Sequence, residues 1–272
     1  SYKLLEHRDG VELDVIMTRD HQLVINHDFG VQSKYGSLAI NSLSKDQFCQ
    51  VGIQNSLYIP TKSNVVFQNG EKLQMANQNW VDDFDQENLR KQNPKVISDS
   101  LERRRPTFEE VLRNAPDFLV CVEVKYPSKD CRSVGSQYFG RAVLINQILK
   151  VLNEFPTRKI QFSSFDPGVV LLLKSVQNKY PVSFLNHGFG PEIFCQDGNF
   201  NNKVVRLFSE EAVAFCLKHG IPGITTSAKM FMEHKDWIQG AMEKGLKIFT
   251  WGTIPGGSIE QAQKEMGISG IM

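Results

Sequence analysis

From Pro106 onward, short apolar runs alternate with longer stretches of helical period, and this alternation decides the fold class. Thr107-Phe108-Glu109-Glu110 has the form of a capping box and predicts a helix through Val111 and Leu112. Residues 119–125 predict a strand, 141–155 a helix and 159–165 a strand. Asp166-Pro167 opens the next helix, because proline suits the first helical position, and that helix reaches about Asn178. Strands follow at 181–185 and 221–225, with a helix over 209–219 between them that Gly220 stops. A helix over 235–244 closed by Gly245, a strand over 246–251, a helix over 258–266 and a strand over 268–272 complete the series. Repeated strand–helix–strand units predict a parallel sheet with helices outside. A (β/α)8 barrel and a doubly wound sheet both place ligands at strand C-terminal ends. The sequence has no GxGxxG and no GxxxxGK[ST], which favours the barrel.

Upstream, residues 11–16 form an apolar strand interrupted by Glu12 and Asp14. One-residue spacing on a strand sends both carboxylates to one side. Two carboxylates on an apolar strand repel each other and are costly to bury, and a hard divalent cation such as Mg²⁺ or Ca²⁺ resolves the conflict. A second run, Leu23-Val24-Ile25, delivers His27-Asp28, whose imidazole can act as general acid or base near neutral pH. Glu123 and Lys125 repeat the one-residue spacing: a third candidate metal oxygen and a cation suited to phosphate. The simpler reading of these two is an internal ion pair. Trp251 ends a predicted strand and is either core or an aromatic wall for a head group, including a choline cation. Asp14, His27, Lys125, Ser164 and Trp251 are all expected at strand C-terminal ends.

Composition bounds the partners. The 272 residues carry a formal net charge of +1, which argues against nucleic acid or an anionic membrane as the main partner. The short cluster Arg103-Arg104-Arg105 reads as a solvated face. Five scattered cysteines with no CxxC pair favour a reducing, cytoplasmic compartment. No apolar run reaches transmembrane length. Residues 30–105 are rich in Asn, Gln, Ser and Lys, and read as a long polar insertion that could bind a protein partner. Within it, Ser44-Lys45-Asp46-Gln47 predicts a short capped helix.

These residues resemble the glycerophosphodiester phosphodiesterase family across the whole chain, 1–272, least so in 30–105. The family pattern stands here as Glu12-Leu13-Asp14-Val15, Thr18-Arg19-Asp20 and Val24-Ile25-Asn26-His27-Asp28. Pro106-Thr107-Phe108, Val122-Glu123-Val124-Lys125, Ser163-Ser164-Phe165-Asp166, Phe249-Thr250-Trp251-Gly252 and Gly267-Ile268-Ser269-Gly270-Ile271-Met272 follow in family order. Residues 177–181 with Phe184-Leu185 are similar to the eukaryotic glycerophosphocholine branch. The resemblance implies a (β/α)8 TIM-type barrel that hydrolyses a small-molecule glycerophosphodiester to glycerol phosphate and an alcohol. It implies metal on Glu12, Asp14 and Glu123, an acid–base role for His27, and phosphate contact by Lys125.

One departure stands out. The family opens with a strand ending in His-Arg-Gly that supplies a second acid–base histidine. Here His7-Arg8 lies only four residues before Glu12, too close for a parallel crossover. Residues 1–8 therefore read as the family's first helix, and the chain is expected to lack the first barrel strand, as a fragment of a longer protein would. The alternative function is a non-catalytic, degenerate barrel that binds a phosphate ester or a protein.

Overall fold

The computed structural model of the chain describes residues 10–27, 29–33, 36–50, 64–66, 72–74, 105–126, 138–186, 209–252 and 258–271. β1 (Gly10–Met17) and β2 (Leu23–Ile25) pair antiparallel, with Val15 opposite Ile25 and Met17 opposite Leu23. β3 (Gly30–Ser33) and β4 (Gly36–Ala39) form a second hairpin, and a 3-10 turn at Ile40–Ser42 leads to α1 (Lys45–Gln50). β5 (Asn64–Val66) and β6 (Lys72–Gln74) pair with each other. After α2 (Phe108–Asn114) come β7 (Leu119–Val124), α3 (Arg141–Asn153), β8 (Ile160–Ser164), α4 (Pro167–Val176) and β9 (Val182–Asn186). Then follow α5 (Ser209–His219), β10 (Gly223–Ser227), α6 (Ala228–Glu233), α7 (Lys235–Glu243), β11 (Lys247–Trp251), α8 (Ser258–Met266) and β12 (Gly270–Ile271).

The main sheet has eight strands in the order β12-β11-β10-β9-β8-β7-β1-β2. From β7 to β12 every pairing is parallel and every neighbour is the next strand in the chain. This is the (β/α)8, TIM-type order. The expected helix over residues 1–8 lies outside the described residues. Among the described residues no helix is long and apolar enough to cross a membrane.

The chain forms two compact units. One comprises Ser1–Leu13, Pro116–Lys129 and Thr157–Met272; the other comprises Asp14–Ala115 and Asp130–Pro156. The division runs through β1. In the first unit, parallel register gives the strands two chemically different faces. Glu123 pairs with Ser163, Ser163 with Ser183, and Ser183 with Gly223. Residues in register share a face, and so do positions two further along. One face therefore carries Cys121, Glu123, Gln161, Ser163, Ser183 and Thr225. The other carries Val120, Val122, Ile160, Phe162, Val182, Phe184, Ile224 and Ile248, all buried. Phe184 meets Phe215 of α5 with ring centroids 5.3 Å apart, so the apolar face is the helix-packed one. Barrel interiors are usually filled by branched apolar side chains. Here the opposite face sets polar side chains beside Leu185 and Phe249, and its buried hydroxyls need partners: Ser183 Oγ and Thr225 Oγ1 lie 2.8 Å apart.

Gly10 permits a close approach at the start of β1. A Cβ there would stand 2.6 Å from the Leu119 carbonyl oxygen, so any larger residue would push β1 off the first residue of β7.

In the second unit, Ile16, Val24, Val31, Leu38, Ile40, Leu43 and Phe48 form one buried cluster. Residues 31–48, read from composition as part of a polar insertion, thus contribute core. The capped helix expected from Ser44 is present: Gln47 N–H donates to Ser44 Oγ, and Ser44 N–H to Gln47 Oε1. The capping box at Thr107 is also complete. α2 is tied to β2 through the Val24–Thr107 bridge.

Candidate active site

The Thr18-Arg19-Asp20 element shapes the turn between β1 and β2. Thr18 Oγ1 donates to Asp20 Oδ1 at 2.6 Å and accepts from Gln22 N–H at 3.1 Å. Asp20 Oδ1 also accepts the Lys45 N–H at 3.0 Å, at the start of α1. These side chains are occupied in holding backbone.

Glu12, Asp14 and Glu123 each bring an oxygen within 4.8 Å of the others. Asp14 lies two positions along β1 from Glu12, as the strand period requires, and Glu123 comes from β7. Glu12 is exposed; Asp14 and Glu123 are half-buried. Asp14 is at mid-strand, because β1 runs on through the buried Val15, Ile16 and Met17, which corrects the expectation of a strand-end position. Lys125 Nζ pairs with Glu123 Oε1 at 2.8 Å, with both side chains about a tenth exposed (11% and 12%). Three carboxylates against one ammonium leave a formal charge of −2. A compact all-oxygen set with excess negative charge suits a hard divalent cation. Beside it, burial and then the Glu12 carboxylate push the Cys121 thiol up to about 11, which keeps it protonated at physiological pH.

Trp251 ends β11 opposite Ser227 and, four positions on from Lys247, shares the polar face with Glu123. Ser164 does not. It is one residue from Ser163 and so leaves the other face, where its Oγ donates to the Val124 carbonyl at 2.8 Å and accepts the Asp166 N–H at 3.2 Å. It is a turn staple. His27 stands two residues beyond β2 and is exposed. Its neighbour Asn26 donates its N–H to the Asp14 carbonyl at 3.1 Å, which fixes where the histidine leaves the chain.

Sequence reasoning passed over two sets of residues. Gln161, Ser163, Ser183 and Thr225 line the polar face, and the alternation within their strands could have revealed them. Arg105 was read as solvated but is 5% exposed and donates to Asn26 Oδ1. Nothing in a run of three arginines marks Arg105 for burial.

Comparison with known proteins gives the same direction. Residues 4–272 match the model of the Glycerophosphoryl diester phosphodiesterase family. Human glycerophosphocholine phosphodiesterase GPCPD1 is 30% identical over 174 residues, covering 61% of this chain and 25% of the human protein. Arabidopsis thaliana glycerophosphodiester phosphodiesterase GDPD2 is 27% identical, covering 97% of this chain and 64% of that protein. The chain thus spans about a quarter of the length of the human relative. Among solved structures, an Oleispira antarctica phosphodiesterase in complex with sn-glycerol-3-phosphate aligns with a TM-score of 0.64 at 12% identity, covering 98% of this chain and 81% of that one. The Thermotoga maritima glycerophosphodiester phosphodiesterase aligns with a TM-score of 0.56 at 16% identity, covering all of this chain and 84% of that one. With the family match extending over nearly the whole sequence, the chain belongs to the glycerophosphoryl diester phosphodiesterase family.

Proposed function

We propose that this chain hydrolyses a glycerophosphodiester of the glycerophosphocholine type to glycerol phosphate and the free alcohol, with a divalent cation, Mg²⁺ or Ca²⁺, held by Glu12, Asp14 and Glu123. The observation that carries this reading is the approach of three carboxylates within 4.8 Å on a polar strand face. A bound cation would supply charge neutralisation at the phosphoryl oxygens.

The remaining work falls to the chain's own side chains. Lys125 offers its ammonium to a phosphate oxygen, leaving Glu123 to the cation. His27 moves the proton: its neutral imidazole takes one from the attacking water as the new P–O bond forms, and the imidazolium so produced returns it to the alkoxide released when the P–O bond to the alcohol breaks. Trp251 offers an aromatic surface to a quaternary ammonium head group. The scattered cysteines, with no CxxC pair in the sequence, support a reducing, cytoplasmic setting.

The test is release of glycerol phosphate from glycerophosphocholine with Mg²⁺ or Ca²⁺, and again with chelator. Turnover should require the ion. His27→Ala should cost about 10²- to 10⁴-fold in turnover while ion binding persists. Turnover indifferent to chelator sinks the metal assignment, and undiminished turnover in His27→Ala sinks the role of the imidazole.

A further inference from the structure

We propose that Arg105 is a positioning residue for His27, acting through the side chain of Asn26. The proposal rests on the reading of His27 as the acid–base group. Arg105 is 5% exposed, and a permanent charge so buried needs partners to offset its desolvation. Its Nη1 donates to Asn26 Oδ1. Its guanidinium carbon stands 5.4 Å from the centroid of the Phe48 ring, within cation–π range. Its backbone is fixed as well: the Arg105 carbonyl accepts from Cys49 Sγ at 3.8 Å, and the next carbonyl, Pro106, accepts the Ile25 N–H at 3.2 Å.

Asn26 immediately precedes His27 and is 1% exposed. Its N–H donates to the Asp14 carbonyl at 3.1 Å, and its Nδ2 donates to the Gly30 carbonyl at 3.4 Å. The second bond ties Asn26, immediately before His27, to the start of β3. A carboxamide has one accepting end and one donating end. A guanidinium only donates, so Arg105 claims Oδ1 and leaves Nδ2 for Gly30. The flipped amide would set its NH2 against the guanidinium and oxygen against oxygen at Gly30, so Arg105 and Gly30 select the same orientation, and losing Arg105 removes the charge-assisted half of that selection and leaves the 3.4 Å bond to Gly30. Arg105 thereby fixes the direction in which His27 leaves the chain from 79 residues away in sequence.

Arg105→Met keeps length and packing against Phe48 but cannot donate. It should lower kcat about 10- to 100-fold, as a displacement of about 1 Å at a reacting group does, with KM changed by less than about twofold. The His27 imidazole resonances should shift or broaden in ¹H–¹⁵N spectra. Combining Arg105→Met with Asn26→Ala should cost no more than either alone, and guanidinium in solution should restore part of the loss in Arg105→Ala. Unchanged kcat with unchanged His27 resonances overturns the proposal, and so does additive loss in the double variant. If Arg105→Met does not fold, Arg105→Lys is read the same way, since it keeps the charge and loses the planar fork. If His27→Ala keeps full turnover, the acid–base reading fails by itself, and positioning stands or falls on whether the His27 resonances move in Arg105→Met.

Discussion

Cys216 lies on α5 with no exposed surface and its Sγ 3.9 Å from the Gly223 carbonyl oxygen. Burial pushes its thiol up to about 12 from an ordinary 9.0. Raising the pH past about 9 therefore ionises this thiol in the unfolded chain while the folded chain keeps its proton. The folded state then binds more protons than the unfolded one, and stability falls as pH rises. The contribution is complete below about 9 and is lost on the way to about 12. Cys216→Ala should be less stable than the parent at neutral pH, because it leaves a small cavity. Its disadvantage should shrink by about 2 kcal/mol between about pH 9 and pH 11, at roughly 1.4 kcal/mol per unit. Urea unfolding of both proteins at each pH measures this, since every other titrating group cancels in the difference. A gap independent of pH would mean that the thiol ionises as easily folded as unfolded.

At the scale of elements, local chemistry sets where helices begin. Thr107 Oγ1 accepts the Glu110 N–H at 3.1 Å, and Glu110 Oε2 accepts the Thr107 N–H at 3.0 Å, so two orphan donors at the start of α2 are satisfied reciprocally. Thr107→Ala should cost about 1 kcal/mol in denaturant unfolding, and Thr107→Ser should recover nearly all of it. Equal losses in both variants would assign the effect to the threonine methyl group. Such starts and stops are legible because they depend on neighbours in sequence. Asp166-Pro167 opened α4 as expected. Gly220 and Gly245 end α5 and α7 at φ of +64° and +86°, where glycine is the easiest residue to place. Elements that depend on partners elsewhere in the chain were not legible. α6 follows β10 directly, with Ser227 accepting the Met230 N–H at 3.4 Å, and six residues are too few to show a helical period. β3 and β4 each give the core one apolar side chain, Val31 and Leu38, which a polar composition conceals. The same division holds at the site. The Glu12–Asp14 and Glu123–Lys125 spacings could be read from the strand period, whereas the burial of Arg105 depends on Phe48 and Asn26.

For the molecule as a whole, the three carboxylates couple distant parts of the sequence, since Glu12 and Asp14 lie about a hundred residues before Glu123. The unfolded chain offers no such cluster, so an ion held there stabilises the folded state by mass action, about 2.7 kcal/mol at a hundredfold excess over Kd. For a chain of this size that raises the unfolding temperature by about 5 °C. Without the ion the sign reverses. The three carboxylates and the Lys125 ammonium sum to a formal charge of −2, and removing one negative charge relieves repulsion that a half-buried position screens only in part. Asp14→Asn keeps the shape and one accepting oxygen of the side chain. In chelator it should therefore unfold at or above the temperature of the parent. In saturating Mg²⁺ or Ca²⁺ it should unfold below the parent, having lost the ion's contribution. Thermal unfolding of both proteins in the two buffers decides the matter. A variant less stable in chelator would show that Asp14 serves the fold directly. A variant that gains as much from the ion as the parent would place the ion elsewhere.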